Sequence, residues 1–192
     1  MVTSPISIGP SKDNTLYKDS TGSLSNGASQ HIFVGHTNRN VKRCGVIAFD
    51  IAGNVPQGAT IDSVTLTLRA SRTQASAQNV ELHRLLADWG EGVSDASGTE
   101  GGGAAASSGD ATWIHTSFDT ATWQTPGGDL SAAPSASASV DGNWQYAWGS
   151  TYEIVADVQG WLEDPSTNFG WLIQGNEGEP RTTKRFDSKK TR

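Results

Sequence analysis

Three aromatic residues at every second position, Trp144, Tyr146 and Trp148, have the rings and the spacing to stack on a carbohydrate. A tryptophan face covers the apolar C–H face of a sugar, burying much area at little rotamer cost. Trp113 and Trp123 flank polar loops and add two rings of the same kind. Arg43 and Arg72, with Lys42 as an alternative, are the expected partners for uronate carboxylates, because a guanidinium meets a carboxylate through two parallel hydrogen bonds. The same rings would serve equally well as core. In an extended chain positions 144, 146 and 148 share one face, so the stripe is either buried packing or a stacking platform. Trp161 and Trp171 lie in strongly apolar segments and are assigned to the core.

Other chemistry is thin. The chain has no Gly-x-Ser-x-Gly elbow, no His-Glu-x-x-His and no Walker loop, and no catalytic constellation is expected. His31 and His36 fall on opposite faces of one strand and cannot converge on a metal without a turn. Asp88 and Glu91 beside Trp89 have the makings of a glycosidase pair. The plainer reading makes Asp88 to Gly92 a loop whose tryptophan plugs the end of the core. Oxygen-rich loops can hold a structural Ca2+, with Asp13, Asp19 and Asp187 as donors and Asp50 as a further one. None has EF-hand spacing, and the alternative is that Asp13 and Asp19 cap turns while Asp50 closes a strand.

The formal charge of -6 and pI of 5.1 argue against a nucleic-acid surface. Basic residues are scattered apart from a short cluster, Lys184, Arg185, Lys189, Lys190 and Arg192. The lone Cys44 cannot form an internal disulfide, so packing must hold the fold. Its scarcity of cysteine fits an exported protein. No run of 18 apolar residues exists, so no membrane span is expected. Met1–Pro5 lacks the features of a signal peptide, which an exported form would be expected to carry upstream.

The elements that must position these side chains are strands. His31–Gly35 and Cys44–Ile51 read as strands, the second central because it is almost continuously apolar. From Ile61 to Arg69 the alternation is clean, with Val64, Leu66 and Leu68 on the buried face. Asn79–Leu85 repeats it, and Gly170–Gly175 reads as a buried strand. Residues 90–110 collapse into Gly, Ala and Ser and read as a long loop, and 125–139 as a second irregular stretch. One short helix is expected over about 151–163, with Ile154, Val155, Val158, Trp161 and Leu162 at helical spacing and Pro165 ending it. The sum is an all-β, jelly-roll β-sandwich with one short helix and long Gly/Ala/Ser-rich loops, a single domain over 1–192.

Several segments then carry a family likeness. Lys12–Tyr17, Gly27 leading to Ile32–Gly35, Arg43–Ile51, Val55–Leu68, Val158–Trp161, Asn168–Leu172 and Phe186–Ser188 resemble the disaggregatase-related (DNRLRE) domain, which overlaps with carbohydrate-binding module family 96. The resemblance covers nearly the whole chain, and the stretch from Phe49-Asp50-Ile51 to Pro56-x-Gly58-Ala59-x-Ile61 is its most specific part. It implies a non-catalytic, extracellular or cell-surface module with alginate-like acidic polysaccharide as a ligand class. Such domains usually finish with one more strand after the Phe-Asp-Ser segment, where this chain ends at Lys189–Arg192. A missing strand would leave a sheet edge open, and an open edge invites a donated strand. The alternative function is therefore a cell-surface structural or assembly module that self-associates, with Pro5–Ile8 as the donor.

Overall fold

The computed structural model describes residues 5–191. Its strands are β1 (Pro10–Tyr17), β2 (Leu24–Ser25), β3 (His31–His36), β4 (Lys42–Phe49), β5 (Thr65–Thr73), β6 (Gln78–Arg84) and β7 (Ala104–Ala105). There follow β8 (His115–Ser117), β9 (Ala121–Thr122), β10 (Ala136–Val140), β11 (Gln145–Gly149), the helix α1 (Tyr152–Glu163), β12 (Trp171–Gln174) and β13 (Lys184–Asp187). All pairings are antiparallel. The longer strands follow one path, β10-β6-β12-β4-β3-β13-β5-β11, with β1 on the other side of β4. Only Gly35 with Arg43 and His36 with Lys42 join β3 to β4. There the path doubles over, so its two halves face each other as a sandwich, and β10 beside β11 brings it close to a closed barrel.

Between the halves lies the main core. Val80, Leu82, Ile47, Trp171 and Ile173 meet Ile32, Val34, Leu66, Leu68, Trp148 and Phe186, and α1 adds Ile154, Val158, Trp161 and Leu162. The helix starts where Thr151 accepts a hydrogen bond from the Ile154 N–H and ends at Asp164, before Pro165, as the sequence requires. β4 is buried on both faces. Its even residues Cys44, Val46 and Ala48 meet a second cluster built from Leu16, Leu85, Trp89, Ala111, Trp123 and Leu172.

The 90–110 stretch therefore does more than link strands. Its flanks, through Leu85, Trp89, Ala111 and Trp123, roof the outer side of β4, and Asn14 ties the stretch between them down. The buried Asn14 amide donates to Glu91 O at 2.8 Å and Ser25 Oγ at 2.9 Å, and its Oδ1 accepts from Thr15 N and Asn26 N. Composition alone reads as a long loop here because the holding groups are backbone carbonyls and short polar side chains.

Two other expectations shift. The strand expected from Ile61 begins at Thr65, and the irregular 125–139 stretch gives way to β10 at Ala136. The last strand is also not an edge, since β13 is paired with β3 on one side and β5 on the other. Pro5–Gly9 lies outside any strand, with Ile8 packed on the core.

A β-bulge in β5 governs what its residues face. Arg185 of β13 pairs with Arg72, yet Phe186 pairs with Ala70, so Ser71 is the extra residue. Leu66, Leu68 and Ala70 point inward, and after the bulge Thr73 takes the inward place while Arg72 turns out. Thr73 there meets the fully buried Lys184, whose Nζ donates to Thr73 Oγ1 at 2.8 Å, Ala75 O at 2.7 Å, Ser76 O at 2.8 Å and Asp141 O at 3.2 Å. Burial pushes the Lys184 ammonium below its usual range.

Replacing Lys184 by Met keeps the size but removes the donor that joins Thr73 Oγ1 and the carbonyls of Ala75, Ser76 and Asp141, and should lower stability by about 3 kcal/mol. Urea unfolding reads this directly. A loss below about 1 kcal/mol would mean the ammonium is not the tie between these loops.

Candidate functional site

On the outward side of β3, β13 and β5 lies a groove of about 590 Å3. Its floor follows from register: Phe33 stands opposite Arg185, and Arg185 opposite Arg72. Neighbouring strands lie about 4.8 Å apart, so this is a ladder of side chains at close to the length of one sugar ring. Gly35 carries no side chain in the next row. With φ +94 and only 3.0 Å from an added Cβ to Thr182 O, the position admits glycine alone. Tyr17, Lys18 and Asp19 at the end of β1, the 37–41 turn and the 99–102 loop form the walls.

The charge of this groove opposes that of the chain. Lys18, Arg39, Arg43, Arg72 and Arg185 line it, against one carboxylate, Asp19. Among the described residues none of the five lies within 4 Å of a carboxylate oxygen, whereas Lys12, Lys42, Arg69, Arg84 and Lys189 each have an acidic partner. Asp19 offers them little, because its oxygens already accept from Thr21 N and Ser23 N at 2.8 and 3.2 Å and from Gly22 N. Arg43 lies 5.2 Å from the Tyr17 ring centroid and donates to Gly101 O. Partial burial holds its guanidinium below the usual range, and burial drives the Tyr17 hydroxyl well above its own.

Of the residues that sequence singles out, Arg43 and Arg72 come together in this groove. Lys42 does not, being paired with Glu177 at 3.0 Å. The aromatics are spread over three environments. Trp148 is wholly buried, donates to Val80 O at 2.8 Å and meets Phe186 edge-on at 5.8 Å, so it offers no face to a ligand. Trp123 is likewise buried and donates to Thr112 O. Tyr146 is half-buried, and its hydroxyl closes the turn before β11 by accepting from Asp141 N and Gly142 N. Trp144 is 73% exposed, and Trp113 is half-buried with Lys18 Nζ 6.0 Å from its ring centroid. The stripe is thus a gradient from solvent to core, and its alternates Gln145 and Ala147 form the exposed face.

Trp89 is buried in the outer cluster and donates to Phe169 O, while Asp88 pairs with Lys12 at 2.7 Å. Trp161 and Trp171 are core, as their surroundings in the sequence require. The three aspartates proposed as calcium donors stand apart. Asp13 is buried and accepts from Lys189 N, Asp19 caps its turn, and Asp187 lies between His31 at 3.9 Å and Arg69 at 3.7 Å. Among the described residues no three His, Cys, Asp or Glu side chains are placed to hold an ion. No helix there is long and apolar enough to cross a membrane.

Sequence reasoning misses Tyr17, Lys18, Phe33 and Arg39 as groove residues, and names Arg185 only within the short basic cluster near the end of the chain. They come from four separate segments and only register unites them. No family model matches the chain, and no curated protein matches it.

Asp13 gives the fold a definite pH response. Burial, opposed in part by the Lys189 N–H, raises its carboxyl from 3.8 to about 6. The folded state then holds the proton more tightly than the unfolded chain, so its contribution is full below pH 3.8 and is lost as pH rises through about 6, a change of about 3 kcal/mol. Asp13→Asn keeps the acceptor for Lys189 N and removes the charge. Stability measured from pH 4 to 7.5 should fall less steeply with pH in that variant, which should also be the more stable at pH 7.5. An unchanged slope would contradict the assignment.

Proposed function

We propose that this chain is a non-catalytic module that binds an acidic polysaccharide, alginate-like in carrying a carboxylate on its sugars, in the groove over β3, β13 and β5. The observation that carries the reading is the gathering, in one groove of a chain whose net charge is -6, of five cations that have no acidic partner among the described residues. Like charges held together need an external counterion, and four of the five are arginines, whose planar fork suits a carboxylate better than a lysine does. Phe33 and Tyr17 are buried beneath the groove floor and back the arginines rather than present a ring face to a sugar. The resemblance to the disaggregatase-related domain and carbohydrate-binding module family 96 supports the same reading, and with it an extracellular or cell-surface setting.

Binding without turnover is favoured by what lines the groove. It has no histidine, the Asp19 oxygens are occupied by a turn, and the Tyr17 hydroxyl is too reluctant to ionise to act as a base. Recognition therefore rests on charge more than on rings, with the half-buried Trp113 beside Lys18 the aromatic nearest the groove's cations.

Affinity electrophoresis in gels containing alginate, polygalacturonate or neutral hydroxyethylcellulose tests this. Retardation is expected in the two polyuronates and not in the neutral gel. Arg72→Ala and Arg39→Ala should each weaken binding by about tenfold, the equivalent of one charge-assisted contact at a partly screened site. Equal mobility in all three gels would contradict the proposal.

A further inference from the structure

The 97–103 loop is one wall of the groove, through Thr99, Gly101 and Gly102, and its geometry is unusual. Glu100 at its centre has φ +60, a left-handed conformation that a residue with a side chain adopts only when its surroundings impose it. Its side chain turns away from the groove and is buried against His31, with Nδ1 2.9 Å from Oε2. Two further contacts hold the loop's backbone: Tyr17 donates to Glu100 O at 3.1 Å, and Arg43 to Gly101 O. Turn bonds from Glu100 N to Ser97 O and from Gly103 N to Glu100 O, at 3.2 and 3.0 Å, complete it.

His31 is not part of the groove lining, yet it faces Glu100 from the loop, Asp187 from β13 and the edge of Phe33 on its own strand. Arg69 of β5 lies beyond Asp187. Without the imidazole, two carboxylates would share this place. The Glu100 side chain would then have reason to leave, and the guanidinium next to it along the loop is that of Arg43, bonded to Gly101 O and without a carboxylate partner among the described residues.

The geometry points to His31 as a positioning residue for the groove: by gripping Glu100 it fixes the 97–103 wall and keeps an internal carboxylate from occupying the cation site meant for the ligand. This rests on the reading of the groove as an anion site. It adds a built-in competitor, and a residue outside the groove that controls affinity.

Competition separates this role from plain scaffolding. With polygalacturonate as the probe, His31→Ala should bind about tenfold or more weakly, the effect of losing one charged contact in the groove. Glu100→Gln, which cannot compete as an anion, should bind within about threefold of the native chain. The double variant His31→Ala/Glu100→Gln should recover most of the loss, a non-additivity that scaffolding would not produce. A double variant as weak as His31→Ala, or a His31→Ala that binds normally, overturns the inference.

If His31→Ala does not fold, His31→Asn and His31→Asp pose the same question at equal size. Asn is expected to bind like His and Asp at least tenfold more weakly, and equal binding overturns the inference. Amide exchange at Gly103, whose N–H donates to Glu100 O, reads the grip without ligand and should speed up in His31→Ala. Unchanged exchange overturns the grip, whereas failure of the native chain to bind polygalacturonate overturns the groove reading instead.

Discussion

The parity of β5 is the constraint on which both halves of this structure depend. A strand shows one face to the core and the other to solvent, and an uninterrupted β5 would send Arg72 inward with Leu68 and Ala70. The extra residue Ser71 reverses the alternation at the point where the core ends. Thr73 is then available to the buried Lys184, and Arg72 joins Arg185 outside. One inserted residue thus satisfies a buried ammonium and builds the groove floor together.

Burial on both faces of β4 imposes the second layer of the design. Its inward residues complete the sandwich, and its outward ones need a roof that a four-residue turn cannot supply. Residues flanking the Gly/Ala/Ser-rich segment, Leu85, Trp89, Ala111 and Trp123, provide that roof, while the segment itself is anchored by Asn14 and makes a groove wall. The segment thus spans from one edge of that roof to the other and shapes the groove wall on the way.

Much of this is legible in the sequence. The alternation over Leu66–Leu68, the apolar run of β4 and the spacing from Ile154 to Leu162 each report a local pattern that burial imposes directly, and each yields an element of the expected type, with strand bounds shifted by two to four residues. Register is not local. Phe33, Arg72 and Arg185 become neighbours through pairings across more than a hundred residues, and the bulge that turns Arg72 outward leaves no mark in composition. The Trp144, Tyr146 and Trp148 spacing rightly signals a strand, but not that its partners bury one end and leave the other in water. Arg43 and Arg72 can be picked by chemistry alone, whereas Lys42 fails because Glu177 comes from a distant loop.

The central claim is that unpartnered positive charge, rather than ring stacking, makes this groove a binding site. Calorimetric titration with polygalacturonate and with its fully methyl-esterified form, which keeps the sugars and removes the charges, isolates that term. Binding to the acid at about 20 mM salt, its loss by about 0.5 M as screening shortens to a few ångströms, and no binding to the ester are the predicted results. Equal affinity for acid and ester, unaffected by salt, would contradict the account.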